Sequence, residues 1–458
     1  MVVEFQPHVP FPTSASYPAR TGNLVRPLVD GEPAFRRICE AIEAARSSVW
    51  LTISFISPDF RMPDARGSLF DVLDKAVERG LDVRAIFWRH NPESRRFGRT
   101  FWGSQADHEM LRARGSRFRA RWDRAHGAYC QHQKCWIVDA GQASETAFVG
   151  GINLNPHSVV SPGHVGKHHN HDLYVEVTGP SATDVHHNFV QRWNEASERT
   201  AGDGVWAHDG DDDLTFPMRV SSQKGASLVQ IQRTVHAARY GDGRPSPAGQ
   251  AFDISGGERS IFEQYLLAID AARGSIYIEN QALAVVAIVA KLEDALERGV
   301  EVVVLVPAEP EEWVRTARRK PERNDLFDRL AALGTHERFA LVGIAGPDGN
   351  GGRDNVHVHA KVMLIDDAWA TIGSCNLHEA SLFGHTEMNV SFWDQKAVRA
   401  LRCELLAEQL NRHTGDLDDR GALRLYRRLA RDNRLKRDAG DFDWQGLAFS
   451  LDPATYGE

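Results

Sequence analysis

The sequence predicts an α/β protein built twice, as two tandem α/β sandwich domains that each surround a mixed β-sheet. Three observations lead there. The pattern His-x-Lys-x4-Asp occurs as His132, Lys134 and Asp139 in HQKCWIVD and again as His359, Lys361 and Asp366 in HAKVMLID. The flanking text repeats in register: AIEAARSSVWL from Ala41 returns as AIDAARGSIYI from Ala268, at the same 227-residue offset as the histidines. AVERGLDVRAIF from Ala76 returns as ALERGVEVVVLV from Ala295, 219 residues on, so loops on either side absorb an eight-residue slip. Amphipathic helices also alternate with short apolar strands, the arrangement that wraps helices around a sheet.

Taken in order, a Pro-rich leader gives way to helical spacing of Phe35, Ile38, Ile42 and Ala45 within Glu32–Arg46. The β-branched and aromatic run Ser48–Ile56 follows as a strand. Leu69–Arg79 reads as a second helix stopped at Gly80, and Val83–Trp88 as a buried strand. Arg89–Met110 is expected to be a long loop with exposed aromatics. Cys135–Val138, Ala147–Val149 and His171–Val177 are further strands. The Gly- and Asp-rich segment Thr200–Ala226 lacks periodicity and marks a junction. The expected domains are therefore 1–200, a linker at 201–227, and 228–458. Asp209 and Asp211–Asp213 in the linker read as solvated charge rather than a calcium loop, whose spacing and closing glutamate are missing. In the second half, Ser275–Glu279 and Val302–Val306 are the core strands. Past Gln409 the arginine-rich stretch Arg424–Arg437 suits a charge-laced surface helix, with anionic lipid as the alternative contact.

Composition bounds the function. At 458 residues the chain has room for two domains with full cores. No apolar run approaches the ~18 residues of a membrane span, and MVVEFQPHVPFP lacks the basic and apolar regions of a signal peptide. A cytoplasmic location, with peripheral contact at a membrane surface, is the expectation. Five scattered cysteines suit a reducing compartment, and Cys130 and Cys135 beside the first motif read as small buried thiols. A formal charge of −8 weighs against bulk nucleic acid as the main partner, which a basic groove would serve.

Residues two apart on a strand face the same way, so each motif offers an imidazole and an ammonium on one surface. Gly373, Ser374 and Asn376 follow the second motif; Gly150, Gly151 and Asn153 take that place after the first. Two histidines, two lysines and two asparagines converging between face-to-face halves suit a phosphodiester. Lysines and amides offset the charge on a five-coordinate phosphorus while the imidazoles divide the roles of nucleophile and general acid. A nucleophilic imidazole needs its other N–H held by an acceptor, and Asp172 and Glu387, on strands after their motifs, are the candidates. Asp139 and Asp366 fall where a strand meets a turn and are expected to tie down backbone rather than move protons.

This duplicated motif resembles the signature of the phospholipase D superfamily, and the resemblance extends over nearly the whole chain. HDLYVEVTGPSATDVHHNFVQRWN, SLVQIQRT and SIYIENQ are similar to flanking segments of phospholipases D proper. The resemblance implies two α/β/α sandwiches related by a pseudo-two-fold axis, one active site at their interface, and metal-independent chemistry without a cofactor through a phosphohistidine. Carried over by position, His132 is the nucleophile and His359 the general acid, with Lys134, Lys361, Asn153 and Asn376 holding the phosphate. Ser374 adds a hydroxyl there, and Gly151 stands where the repeat would put its equivalent. The loops with Phe97, Phe101 and Trp102, and with Trp313, Arg315, Arg318 and Arg319, suit a membrane surface or are half-buried loop aromatics. His164, His168, His169 and His171 read as a loop lining the active site rather than a metal centre. The expected function is cleavage or transphosphatidylation at the distal phosphodiester of a phospholipid. The alternatives are a cardiolipin synthase-like phosphatidyltransferase, a nucleic-acid phosphodiesterase and a non-catalytic scaffold.

Overall fold

The computed structural model describes residues 7–91, 101, 103–197, 205–206 and 212–458. Two runs of strands share one plan. In the first half β1 (Arg20–Val29), β2 (Ser48–Ile53), β3 (Asp82–Trp88), β4 (Arg119–Asp123), β5 (Cys135–Val138), β6 (Thr146–Gly150) and β7 (Leu173–Thr178) stand in the order β1-β7-β6-β5-β2-β3-β4. In the second, β8 (Ser227–Val235), β9 (Ser275–Glu279), β10 (Glu301–Leu305), β11 (Phe339–Pro347), β12 (Val362–Ile365), β13 (Trp369–Gly373) and β14 (Glu387–Trp393) stand as β8-β14-β13-β12-β9-β10-β11. Each sheet is mixed: β2, β3 and β4 are parallel, as are β9, β10 and β11, and the other neighbours in each order are antiparallel.

The helices match too. α1 (Gly31–Ala44), α2 (Leu69–Glu78), α3 (Gln105–Arg114) and α4 (Ala182–Asn194) have counterparts in α5 (Ser260–Ala271), α6 (Val286–Glu297), α7 (Asn324–Leu333) and α8 (Gln395–Leu410). Helix α2 starts at a reciprocal capping box between Ser68 and Asp71.

The stretch expected to be a loop up to Met110 contains α3, set by a second capping box between Ser104 and Asp107 and stopped at Gly115 with φ 71°. Its apolar stripe is too thin to read, since only His108 and Leu111 are buried. Phe101 is not an exposed aromatic; it packs against Phe70, Phe87 and Trp122. Phe97 and Trp102 lie outside the described residues. Strand β1 hides in the Pro-rich leader: Pro27 faces only β7 there, so no second ladder needs its missing N–H. Farther back, Arg20 and Asn23 pair with Val229 and Ser227 of β8, joining the two sheets.

Of the acidic linker, Asp212 pairs with Arg84 and Arg119 and is largely covered, whereas Asp213 pairs with Arg121 and stays half exposed to solvent; Asp209 and Asp211 lie outside the described residues. The basic stretch is α9 (Asp419–Asp438), a surface helix that buries Leu423, Tyr426 and Ala430 and pairs Arg424 and Arg427 with Glu301. The thiols of Cys130 and Cys135 are buried and free.

The halves pack face to face over one apolar cluster, with Ile137, Val149 and Val175 from the first meeting Leu364, Ile372 and Val390 from the second. Each such side chain contributes about 1.5–3 kcal/mol when withdrawn from water, so the interface is core rather than a hinge. Two crossings fasten it at the site. Asn170–His171 pairs in parallel with His357–Val358, and Gln131 bridges to Thr386. Among the described residues no helix is long and apolar enough to cross a membrane.

Candidate active site

The histidines sit just before β5 and β12, on extended segments that leave their own sheet to pair with the other half. The His132 N–H donates to Thr386 O at 2.9 Å, and the His359 N–H donates to His171 O at 2.9 Å. Each segment therefore meets the chain immediately preceding the other half's carboxylate. The carboxylates cross over as a result: His132 Nδ1 lies 2.9 Å from Glu387 Oε2, and His359 Nδ1 lies 2.6 Å from Asp172 Oδ2. The carbonyl of Ser374 also accepts from His132 Nδ1, at 3.1 Å, which places the proton on Nδ1 and leaves Nε2 with its lone pair.

Both imidazoles open into one cavity of about 1000 Å³. Its lining includes the polar side chains of His132, His359, Asn153, Asn376, His378 and His385 and the apolar ones of Phe55, Ile56, Leu154, Ala284, Trp313 and Leu326. Asn153 Nδ2 is 3.4 Å from His359 Nε2, and the side-chain oxygens of Asn153 and Asn376 are buried without a hydrogen-bond partner. Lys134 Nζ donates to His132 O at 2.8 Å and Lys361 Nζ to His359 O, so each ammonium is tethered to its own motif. Burial pulls both lysines down to about 8. Burial, reinforced by the two ammoniums, holds His132 and His359 well below the usual imidazole range. The carboxylates move oppositely: burial raises Glu387, and raises Asp172 to about 7. Both imidazoles are thus neutral bases until an anion arrives.

Other expected site residues fall elsewhere. The structure does not bring Asp139 or Asp366 to the cavity. Asp139 accepts from the Arg46 and Ser47 N–H groups and the Ser47 and Ser144 hydroxyls. Asp366 accepts from the N–H groups of Arg273, Gly274 and Ser275 and pairs with His8. Each clamps the turn between the first helix and first core strand of its repeat, beyond the end of the motif strand farthest from the histidine. Ser374 does not face the cavity either; its hydroxyl donates to Glu387 Oε2 at 2.6 Å, and Ser381 donates to Oε1 at 2.7 Å. Gly151 offers no ligand, since its N–H is taken by Leu173 O, and it serves by being small: a Cβ there would lie 2.4 Å from Asp172 Oδ1. The two halves thus solve one problem differently. A longer Glu387 is steadied by two serines, and a shorter Asp172 is seated over a glycine.

The cavity also contains residues that pattern reading passed over. His385 lies two residues before Glu387, and its Nδ1 accepts from the Cys130 N–H at 3.1 Å. The ring of Phe55 meets His132 edge-on at 6.0 Å. Trp313 stands 39% exposed in the lining, whereas Arg318 is drawn away to the carbonyls of Ala454 and Tyr456. Of the histidine-rich loop, only His164 and His171 are buried, and they face Asp30 rather than the cavity.

Most of the chain is similar to known proteins. Residues 38–193 and 265–408 match a family model described as cardiolipin synthase, PLD-like domain, and residues 158–289 match phospholipase D. Phospholipase D A of Dictyostelium discoideum is 24% identical over a stretch covering 83% of this chain and 34% of that protein. Cardiolipin synthase 1 of Staphylococcus epidermidis is 21% identical, covering 83% of this chain and 66% of that one. The chain thus spans between a third and two thirds of these relatives. Among solved structures, phosphatidylserine synthase from Haemophilus influenzae Rd KW20 superposes with a TM-score of 0.58 at 13% identity, covering 93% of this chain and 97% of that one, a likeness of fold.

Proposed function

Because this chain belongs to the phospholipase D superfamily, we propose that it is a phospholipid-modifying enzyme that cleaves the distal phosphodiester bond of a glycerophospholipid by way of a phosphohistidine. The observation that carries this reading is the pair of imidazoles, each held at Nδ1 by a carboxylate of the opposite half, opening into one cavity with a partly apolar lining.

His132 Nε2 attacks phosphorus and the bond to the headgroup oxygen breaks. His359 Nε2–H gives that oxygen its proton, so phosphatidyl-His132 forms and the free alcohol leaves. In the second step His359 Nε2 takes a proton from water, whose oxygen attacks phosphorus and releases phosphatidate and neutral His132. An alcohol in place of water gives transphosphatidylation. His359 needs a second proton to begin, and the phosphodiester anion supplies the charge that stabilises it there. The division of labour rests on support and exposure. His132 is held by Glu387 and Ser374 with its side chain 7% exposed, whereas His359 relies on Asp172 and is 12% exposed, nearer to water. Lys134, Lys361, Asn153 and Asn376 take the phosphoryl oxygens. The apolar lining residues Phe55, Trp313 and Leu326 suit acyl-glycerol, and contact with a membrane surface would be transient.

A phosphatidyltransferase of the cardiolipin synthase kind uses the same first step and differs in its acceptor. Nucleic acid fits less well, because among the described residues the cavity lining offers one indole, Trp313, and one arginine, Arg323, which is paired with Glu379. The test is product analysis on vesicles of phosphatidylcholine and phosphatidylethanolamine, with glycerol added in one arm and single-stranded DNA in another. His132→Ala and His359→Ala serve as controls. Phosphatidate released by the parent and lost in both variants supports hydrolysis, and a phosphatidyl-glycerol product that predominates over phosphatidate moves the protein to the transferase branch. DNA cleavage without lipid turnover would overturn the proposal.

A further inference from the structure

Behind the active site, on the far side of His171, lies a second set of converging ligand atoms that the phosphodiester chemistry does not use. Asp30, His164, His171 and Glu408 each present one donor atom, and these atoms all lie within 4.8 Å of one another. They come from four separate places: the start of α1, the loop after β6, the segment leading to Asp172, and α8. Asp30, His164 and His171 are buried, and the Glu408 side chain is 9% exposed.

Three features set these side chains apart. His164 Nδ1 is buried without a hydrogen-bond partner, although an unsatisfied buried polar atom costs about 1–3 kcal/mol, and its Nε2 meets two carboxylates, Asp30 and Glu408. Asp30 occupies the N-cap of α1, where aspartate is favoured, yet it makes no capping hydrogen bond and turns its carboxylate toward the histidines. Asp30 and His164 also hold φ of 63° and 47°, a strained region for residues with a Cβ. Gly346 beneath the loop leaves the space this needs, since a Cβ there would lie 2.1 Å from His164 O.

The spacing discriminates between ligands. His164 Nε2 stands 3.2 Å from Asp30 Oδ2 and 3.5 Å from Glu408 Oε1. Donors around a tetrahedral cation are about 3.3–3.4 Å apart when the bonds are about 2.0–2.1 Å, the lengths of Zn–N and Zn–O. His171 offers Nδ1, now 2.8 Å from the other oxygen of Asp30, as the fourth donor, while its Nε2 lies 3.0 Å from Glu279 Oε2. Two imidazoles with two carboxylates suit a borderline divalent transition metal rather than calcium or magnesium, which take oxygen shells.

We propose that Asp30, His164, His171 and Glu408 form a binding site for one divalent transition-metal cation of the zinc type, a structural clamp between the two halves. The cation joins first-half residues to α8 of the second half. Through His171, whose carbonyl holds the His359 N–H and whose next residue is Asp172, it steadies the general acid without touching substrate.

Cobalt(II) titrated into full-length, chelator-dialysed protein tests this without any activity readout. The expected result is one equivalent bound with the intense visible absorption of four-coordinate cobalt, displaced by zinc, and a zinc-dependent rise in melting temperature. His164→Gln and Glu408→Gln, each checked for folding by circular dichroism, are expected to lose both the absorption and the rise. If one variant fails to fold, the other decides. A parent that binds no cobalt, or folded variants that keep its absorption, would overturn the site and leave the cluster as an ion-pair network.

Discussion

Gly151→Ala puts one methyl group where the structure has none, and its consequences can be worked out atom by atom. The φ of Gly151 is not in the left-handed region, so alanine fits the backbone and the whole effect falls on the neighbour. The added Cβ would lie 2.4 Å from Asp172 Oδ1, 2.7 Å from Oδ2 and 2.9 Å from Cγ, whereas ordinary contact begins at 3.4 Å. The carboxylate must withdraw by about 1 Å. It is tied by Oδ1 to the Leu173 N–H at 2.8 Å and by Oδ2 to His359 Nδ1 at 2.6 Å, and both bonds stretch past useful length. Crowding of this kind costs about 1–3 kcal/mol, so the variant is expected to fold. A positioned general acid contributes about 10²–10⁴-fold, and its misalignment is expected to lower kcat on phosphatidylcholine by about 10²-fold. A nitrophenyl phosphodiester separates the roles, because its leaving group departs without a proton. The first-turnover burst should stay within about 10-fold of the parent while steady-state turnover falls. Stopped-flow absorbance reads both. A folded variant with unchanged headgroup release, or with burst and steady state falling equally, would refute the reasoning.

The remaining expectations rest on the same geometry. Glu387→Gln leaves His132 without its anionic partner and is expected to cost about 10³–10⁴-fold in kcat; acid-labile phosphohistidine trapped by rapid quench should form correspondingly slowly on His132. Lys134 and Lys361, lowered to about 8 by burial, lose their protons as pH rises through that value, so kcat/KM for a lipid phosphodiester should fall above pH 8. Between pH 8 and the ordinary lysine value of 10.5 the unfolded chain binds more protons at these two sites than the folded one does. Their contribution to stability therefore rises with pH across that window, which urea titrations on the parent and a Lys134→Met variant can measure. Asp366→Ala removes the acceptor of three backbone N–H groups and is expected to cost about 3 kcal/mol of stability by urea melts, with the specific activity of the folded fraction retained.

Much of this molecule is legible in one dimension because it is a duplication. An in-register repeat exposes strands β2, β3, β9 and β10 and their helices twice over, and a chance pattern rarely survives two readings. Elements lacking that support were lost. α3 has too few apolar residues to show a period, and β1 carries Gly22 and Pro27, tolerated only because of where its neighbours lie. The same holds at the site. The motif histidines, lysines and asparagines are visible in the text, as are the two carboxylates, since residue type and spacing carry that information.

Partnership is not visible. Nothing in HHNHDLYVEV says that Asp172 serves His359 rather than His132, 40 residues before it. That crossing exists only because each motif segment leaves its own sheet to pair with the other half. Likewise, Gly151 and Ser374 are equivalent by repeat, and only side-chain length decides their duties: Asp172 needs the space that Gly151 leaves, and Glu387 reaches Ser374. The sequence by itself determined the chemistry available, two imidazoles and two ammoniums in a repeated α/β unit, because local spacing sets which groups share a face. Which carboxylate orients which base, and that His164 and His171 turn away from the cavity toward Asp30, were decided by the packing of the halves, because contacts between residues more than a hundred positions apart leave no periodic trace in the chain.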